Sequence, residues 1–426
     1  MAYRARLMLV LLGFGAGAVE MPTLERLAEV ASGWRGEVVA QVEQSYAGWD
    51  VEIGDADNDG QNEILVTGCP DSRLYLFKKT SSGWQSQLLA ANLAQHQPGM
   101  GLAVKVVDLN RDGKNEIVLG TGQEGGGNAL FYIMQTDGNK LTKQLVSRPH
   151  FNKSGYTHNL ALHDLDGDGL LEVLSAYCGN GEIIRYDVDP ALSAITARLL
   201  HKLSGSGEES LIADVDNDGQ VEYLTSNGFR AGKARVEIFE FDPVGNLLVP
   251  PRLTIEGFDG NACFYASLIV GDVDNDGANE MVVGWKREQE ANRATLLAYR
   301  VAGAATPVYT FAYETEDLDM AYFEKMMVVA DADNDGKNEV IVSTRGDNQS
   351  ERISSQHLGH VFLYEATPPN HVAQTLLANF HEDYAESSWG DVGDADNDGK
   401  NEVVLATGKG DRTQPGISYV VLLETE

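Results

Sequence analysis

DADNDGQNE, residues 55–63, is an acidic nonapeptide with glycine at its sixth place. Its pattern, D-x-D/N-x-D-G-x-x-E, returns as DLNRDGKNE from Asp108, DLDGDGLLE from Asp164, DVDNDGQVE from Asp214, DVDNDGANE from Asp272 and DADNDGKNE from Asp331 and again from Asp394. The first aspartates are 53, 56, 50, 58, 59 and 63 residues apart, so one unit is repeated along the chain. Each loop is preceded by a short apolar run, such as VEIG at 51–54 or SLIVG at 267–271. Another follows it, such as ILVTG at 64–68 or MVVGW at 281–285. Short apolar runs bounded by turn residues predict that each loop joins two strands.

The chemistry of each loop is that of a hard-cation site. Oxygen side chains at positions 1, 3 and 5 converge, the glycine at position 6 permits the sharp turn, and the glutamate at position 9 closes the shell. Calcium is the expected occupant, because it takes six to eight oxygens in tolerant geometry, whereas soft metals prefer sulfur or imidazole. An EF-hand is excluded by spacing, since that loop needs glutamate at position 12 and Val66 stands there in the first copy. About seven calcium sites are expected. With position 7 included, the candidate ligand sets are Asp55, Asp57, Asp59, Gln61 and Glu63; Asp108, Asn110, Asp112, Lys114 and Glu116; Asp164, Asp166, Asp168, Leu170 and Glu172; and Asp214, Asp216, Asp218, Gln220 and Glu222. The remaining three are Asp272, Asp274, Asp276, Ala278 and Glu280; Asp331, Asp333, Asp335, Lys337 and Glu339; and Asp394, Asp396, Asp398, Lys400 and Glu402.

Seven acidic nonapeptides between strands resemble the FG-GAP or VCBS repeats of integrin alpha-chain propellers and of secreted microbial proteins. The resemblance covers about residues 34–426 and implies an all-β fold, a seven-bladed β-propeller of four-stranded antiparallel blades with calcium in the loops. The Phe-Gly and Gly-Ala-Pro signatures of such repeats are not in regular register, so the resemblance speaks to fold and metal and little to ligand. The seventh unit ends after a third strand, ISYVVLLE at 417–424, while WRGEVVAQVEQ at 34–44 reads like the fourth strands of other units. The expectation is that this N-terminal strand completes the last blade and closes the ring.

Upstream, Arg4 and Arg6, an apolar run at 7–18 and Ala16-Gly17-Ala18 read as an export signal over residues 1–18. A leader with a short helix is expected over 19–33, and the propeller over 34–426. The mature chain is then expected to be secreted, periplasmic or extracellular, with no transmembrane segment. The net charge of −32 is concentrated in the loops, which argues against a nucleic-acid partner. Cys69, Cys178 and Cys263 are too few for a disulfide framework and read as free thiols, with one pair as the alternative.

Counting back three residues from each loop, Asp391, Glu52 and Lys105 put charge on three neighbouring first strands, as a channel salt bridge or as the wall of a ligand funnel. The face opposite the calcium loops carries the variable connections, with Tyr156, His158, Tyr265, Lys286, Arg287, Arg345 and Arg412 as candidate ligand-binding residues. Arg345-Gly346-Asp347 reads as a turn, since Lys409-Gly410-Asp411 occupies the equivalent place one blade later. Three classes of function remain open. The first is a binding or adhesion module for a glycan or protein ligand. The second is a polysaccharide lyase or sugar dehydratase with His158 or Tyr156 as base, Tyr265 as acid and Arg345 neutralising a carboxylate. The third is a docking subunit of a larger assembly.

Overall fold

A computed structural model of the chain describes residues 21–426, apart from 44–45, 70, 96–98, 124–128, 139, 148–154, 230–233, 258–262, 288–293, 316–325, 345–358, 382–388 and 412–413. The expected export signal therefore lies outside the described residues.

The second strand of each unit, such as Glu63–Cys69, Glu172–Cys178 or Glu402–Asp411, carries an apolar run directly after its glutamate, as in VVLA at 403–406. Such a strand is buried on both faces, and here each face meets a neighbouring sheet. The outer strands alternate instead. Lys140–Ser147 half-buries every second side chain and exposes the rest, as one solvated face requires. Stacking these units gives a seven-bladed β-propeller of four-stranded antiparallel sheets. Its blades are numbered 1 to 7 here in the order of their loops.

In blade 1, Tyr46–Gly54, Glu63–Cys69, Arg73–Thr80 and Gly83–Ala90 pair in sequence order from the first strand outward. Blades 2 to 6 repeat that meander, and the short pair Tyr156–Thr157 bridges the second strands of blades 2 and 3. Blade 7 takes three strands from Trp389–Gly393, Glu402–Asp411 and Gln414–Thr425, and its outermost strand is Trp34–Glu43 from the other end of the chain. Seven hydrophobic clusters fill the seven blade interfaces. In one, Val39 and Val42 of the N-terminal strand pack with Ile64 and Val66 of blade 1 and Val404 and Leu422 of blade 7.

First strands approach one another closely at the ring's centre. A Cβ on Gly54 would stand 2.9 Å from the Val106 Cβ, and one on Gly271 would stand 2.8 Å from that of Val329, so these positions require glycine. Of the helix expected before residue 34, one 3-10 turn forms at Leu24–Arg26. Ala28–Val30 then runs as a strand against His371–Phe380 of blade 6. Leu24, Leu27 and Ala28 sink into the cluster between blades 6 and 7, and the outer edge of blade 6 offers backbone partners that a helix could not use. Cys178 is a buried thiol whose sulfur accepts from the Ser206 hydroxyl at 3.2 Å, and the side chains of Cys69 and Cys263 lie outside the described residues.

Candidate metal loops and central channel

Each acidic loop is first a self-bonded turn. In blade 1 the Asp55 carboxylate accepts the N–H groups of Asp59 and Gly60, both at 3.0 Å. Glu63 accepts the Ala56 N–H through Oε2 at 3.0 Å. The bond from glutamate to the position-2 N–H recurs in all seven blades, at 2.8 to 3.3 Å, so Oε2 is structural and Oε1 is the oxygen left for a cation. Position 6 is glycine at φ between 86° and 91° throughout, as the left-handed turn demands. Acidic positions of the loop are thereby drawn toward one point. Asp331, Asp333, Asp335 and Glu339 of blade 6 place one oxygen each within 4.8 Å of one another, and similar clusters occur in blades 1, 3 and 4.

The loops are not equivalent. In blades 1, 2, 4 and 5 the position-1 Oδ1 accepts the N–H of position 5. In blades 6 and 7 the corresponding Oδ1 atoms of Asp331 and Asp394 are buried without a hydrogen-bond partner, as is Oε1 of Glu402, whose side chain is 1% exposed. Buried carboxylate oxygens without donors are costly unless a cation meets them. Burial pushes Glu339 up to about 8, with Asp333 and Asp331 adding repulsion, and Glu402 up to about 7. A calcium ion fits that donor set, which would be supplied by Asp331, Asp333, Asp335 and Glu339, and by Asp394, Asp396, Asp398 and Glu402.

In other blades a basic side chain already reaches the carboxylates. Lys78 Nζ lies 2.7 Å from Asp57 Oδ2, 2.7 Å from Asp59 Oδ2 and 3.0 Å from Glu63 Oε1, although Asp57 Oδ1 keeps no partner. Arg185 Nη2 lies 2.7 Å from Asp166 and 3.3 Å from Glu172, and Arg300 Nη2 lies 3.0 Å from Asp276 and 2.5 Å from Glu280. In blade 4, Arg252 holds Asp216 at 2.5 Å. In blade 2, Gln135 donates to Glu116 Oε1 at 3.0 Å. Sequence reasoning missed these residues because they sit on third or fourth strands, away from the loops.

A second feature also went unread. Asn58, at position 4 and φ 61°, accepts the Asn115 N–H of the next blade at 2.6 Å and donates to the Asn115 carbonyl at 3.1 Å. Asn115, at position 8, donates in return to the Asp55 carbonyl at 2.9 Å. The same clasp joins blades 4 to 5, 5 to 6, 6 to 7 and 7 to 1. Where blade 3 would take part, Gly167 stands at position 4 and Leu171 at position 8, and Leu171 N bonds the Leu109 carbonyl of blade 2 instead. The signal was present, because asparagine at position 4 of one copy goes with asparagine at position 8 of the next.

At the centre, first strands enclose a cavity of about 230 Å³ that Asp50, Lys105, Glu209 and Asp391 help to line. Lys105 Nζ lies 2.6 Å from Glu52 Oε2. The carboxylates also staple first strands together: Glu52 accepts the Val106 N–H at 3.2 Å, Asp391 the Ile53 N–H at 3.0 Å and Asp50 the Val104 N–H at 2.8 Å. Burial raises Glu52 to about 7, against the pull of Lys105. Glu52, Lys105 and Asp391 are therefore brought together.

His158 does not join them. It is buried, with Nδ1 3.6 Å from Glu208 and with a Cys178 ligand atom within 4.8 Å. The backbones of Tyr156, Tyr265, Lys286 and Arg287 lie at strand ends on that rim, and their side chains are outside the described residues. Arg345 and Arg412 lie outside them altogether. Among the described residues, no helix is long and apolar enough to cross a membrane.

Comparison with known proteins agrees with the geometry. The FG-GAP-like repeat matches residues 55–119, 108–175 and 164–225. Human cartilage acidic protein 1 is 29% identical over 142 residues, covering 31% of this chain and 21% of that protein. Human integrin alpha-IIb is 27% identical over 200 residues, covering 42% of this chain and 18% of the integrin, so the chain spans about a fifth of these relatives' length. A crystal structure of BBS1N in complex with ARL6DN superposes with a TM-score of 0.53 at 14% identity, over 92% of this chain and 98% of that one, a likeness of fold alone.

Proposed function

We propose that this β-propeller, similar to FG-GAP repeats and integrin alpha chains, is a secreted, calcium-stabilised binding or adhesion module whose ligand sits on the face opposite the acidic loops. The observation that carries this reading is the set of donor-less buried oxygens in loops that have no other evident task. Their ligation would fix one face of the ring as scaffold and leave the opposite connections to diversify. Similarity to an integrin alpha chain favours a protein ligand, and basic residues in the connections of blades 4 to 7 favour an acidic one, protein or glycan. Secretion rests on the basic, apolar and A-x-A segments of residues 1–18.

The test is a calcium-replete binding screen of the full chain against extracellular proteins and against acidic and neutral polysaccharides. Saturable retention that is lost in excess chelator is the expected result. Release of unsaturated sugar products would replace the binding module with a lyase.

A further inference from the structure

Building on the calcium reading above, we propose that calcium is taken by the loops of blades 6 and 7, and that Lys78, Arg185 and Arg300 are built-in cations that exclude it from blades 1, 3 and 5. The ammonium of Lys78 contacts the carboxylates at positions 3, 5 and 9 together, at 2.7, 2.7 and 3.0 Å. Those are the oxygens that a calcium ion would need at about 2.3 to 2.6 Å. The two cations cannot share that point. For calcium to enter, Lys78 must give up three charge-assisted contacts, and its charge would remain close by on a side chain only 15% exposed. Arg300 reaches the same three positions of blade 5, and Arg185 reaches positions 3 and 9 of blade 3.

The sequence encodes this difference on the third strands. Phe77 pairs with Ile64 and Tyr299 with Met281, and the next residues along, facing the loop glutamate, are the cations Lys78 and Arg300. In blades 6 and 7 the pairs are Tyr364 with Val340 and Leu423 with Val403, and the next residues are Glu365 and Glu424. Two loops thus gain a carboxylate where two others gain a cation; blades 3 and 4 carry Asp187 and Glu240 at this place, and in blade 3 Arg185 reaches the loop from two residues earlier on the strand. Independently of strand register, Asp331 Oδ1, Asp394 Oδ1 and Glu402 Oε1 are buried without donors, whereas the loop oxygens so placed in blade 1, Asp57 Oδ1 and Glu63 Oε1, belong to carboxylates that already have the Lys78 ammonium at 2.7 and 3.0 Å. Among the described residues, no lysine or arginine contacts both position 3 and position 9 in these two loops. Blades 2 and 4 lie between, with Asn110 for an acid at position 3 and with Arg252 on Asp216.

Equilibrium dialysis with radioactive calcium, supported by native mass spectrometry of the full chain, tests the partition. Two sites are expected to fill at a calcium concentration at least about tenfold below any others. Lys78→Met should add one such site, and Lys78→Arg should add none. Glu365→Lys, a change at an exposed position, should remove one and carries the test if Lys78→Met does not fold. Seven equivalent sites, or counts unmoved by both substitutions, would overturn the partition while leaving calcium binding intact. No bound calcium at all would overturn the calcium reading itself and the partition with it.

Discussion

Replacing Asn58 isolates the contribution of one inter-blade clasp. The Asn58 amide makes two partly buried hydrogen bonds to the Asn115 backbone of blade 2, at 2.6 and 3.1 Å, from a left-handed backbone at φ 61°. Hydrogen bonds of this kind contribute about 0.5–1.5 kcal/mol each, so Asn58→Gly is expected to cost about 1–3 kcal/mol. Glycine accepts the backbone without strain, as Gly167 at φ 75° already does in blade 3. Asn58→Ala loses the same bonds and must also hold a Cβ in the left-handed region, which adds about 1–2 kcal/mol. The order of stability is therefore parent, glycine, alanine, measured by urea unfolding at saturating calcium so that metal linkage is constant. A glycine variant within about 0.5 kcal/mol of the parent would refute the clasp as a stabilising device.

Other consequences concern the channel and the seam. Burial raises Glu52 to about 7 from its usual 4.5, so its ionisation opposes folding as pH climbs through that window, and Lys105 offsets the cost. Lys105→Met should accordingly cost about 3–5 kcal/mol at pH 8 and much less at pH 5, where Glu52 is protonated. Thermal melts at the two pH values check this, and equal losses would mean that the pair is not the source. Deleting residues 1–43 removes the strand Trp34–Glu43 and the buried Val39 and Val42, leaving the edge of Gln414–Thr425 bare. Association on size-exclusion chromatography, or loss of the folded monomer, is expected. A monomer with an unchanged melting curve would show that the seventh blade stands without its fourth strand.

The repeat made the fold legible because the loop motif fixes two strands at once. An apolar run on each side of DADNDGQNE can only be a pair of strands joined at an acidic turn, and seven such turns fix seven blades. The charge at Glu52, Lys105 and Asp391 was equally readable, since equivalent positions on first strands must meet at the axis. What could not be read was anything set by contact between different parts of a blade. Lys78 lies 15 residues beyond Glu63, and nothing in the local sequence says that its ammonium turns back into the loop. The expected helix shrank to Leu24–Arg26 because an open strand edge in blade 6 outcompeted a weak helical pattern. His158 looked like a loop residue because its burial depends on Glu208, which comes from another blade.

That calcium holds the acidic face together is tested by thermal unfolding of the full chain in millimolar calcium and in excess chelator. At ten times its dissociation constant each ion contributes about 1.4 kcal/mol. Melting entropy for a chain of this length is about 0.9 kcal/mol per degree. Two occupied loops should therefore raise the melting temperature by about 3 °C, and seven by about 11 °C. A rise near the lower figure is the predicted result, and superimposable curves in calcium and chelator would contradict the claim.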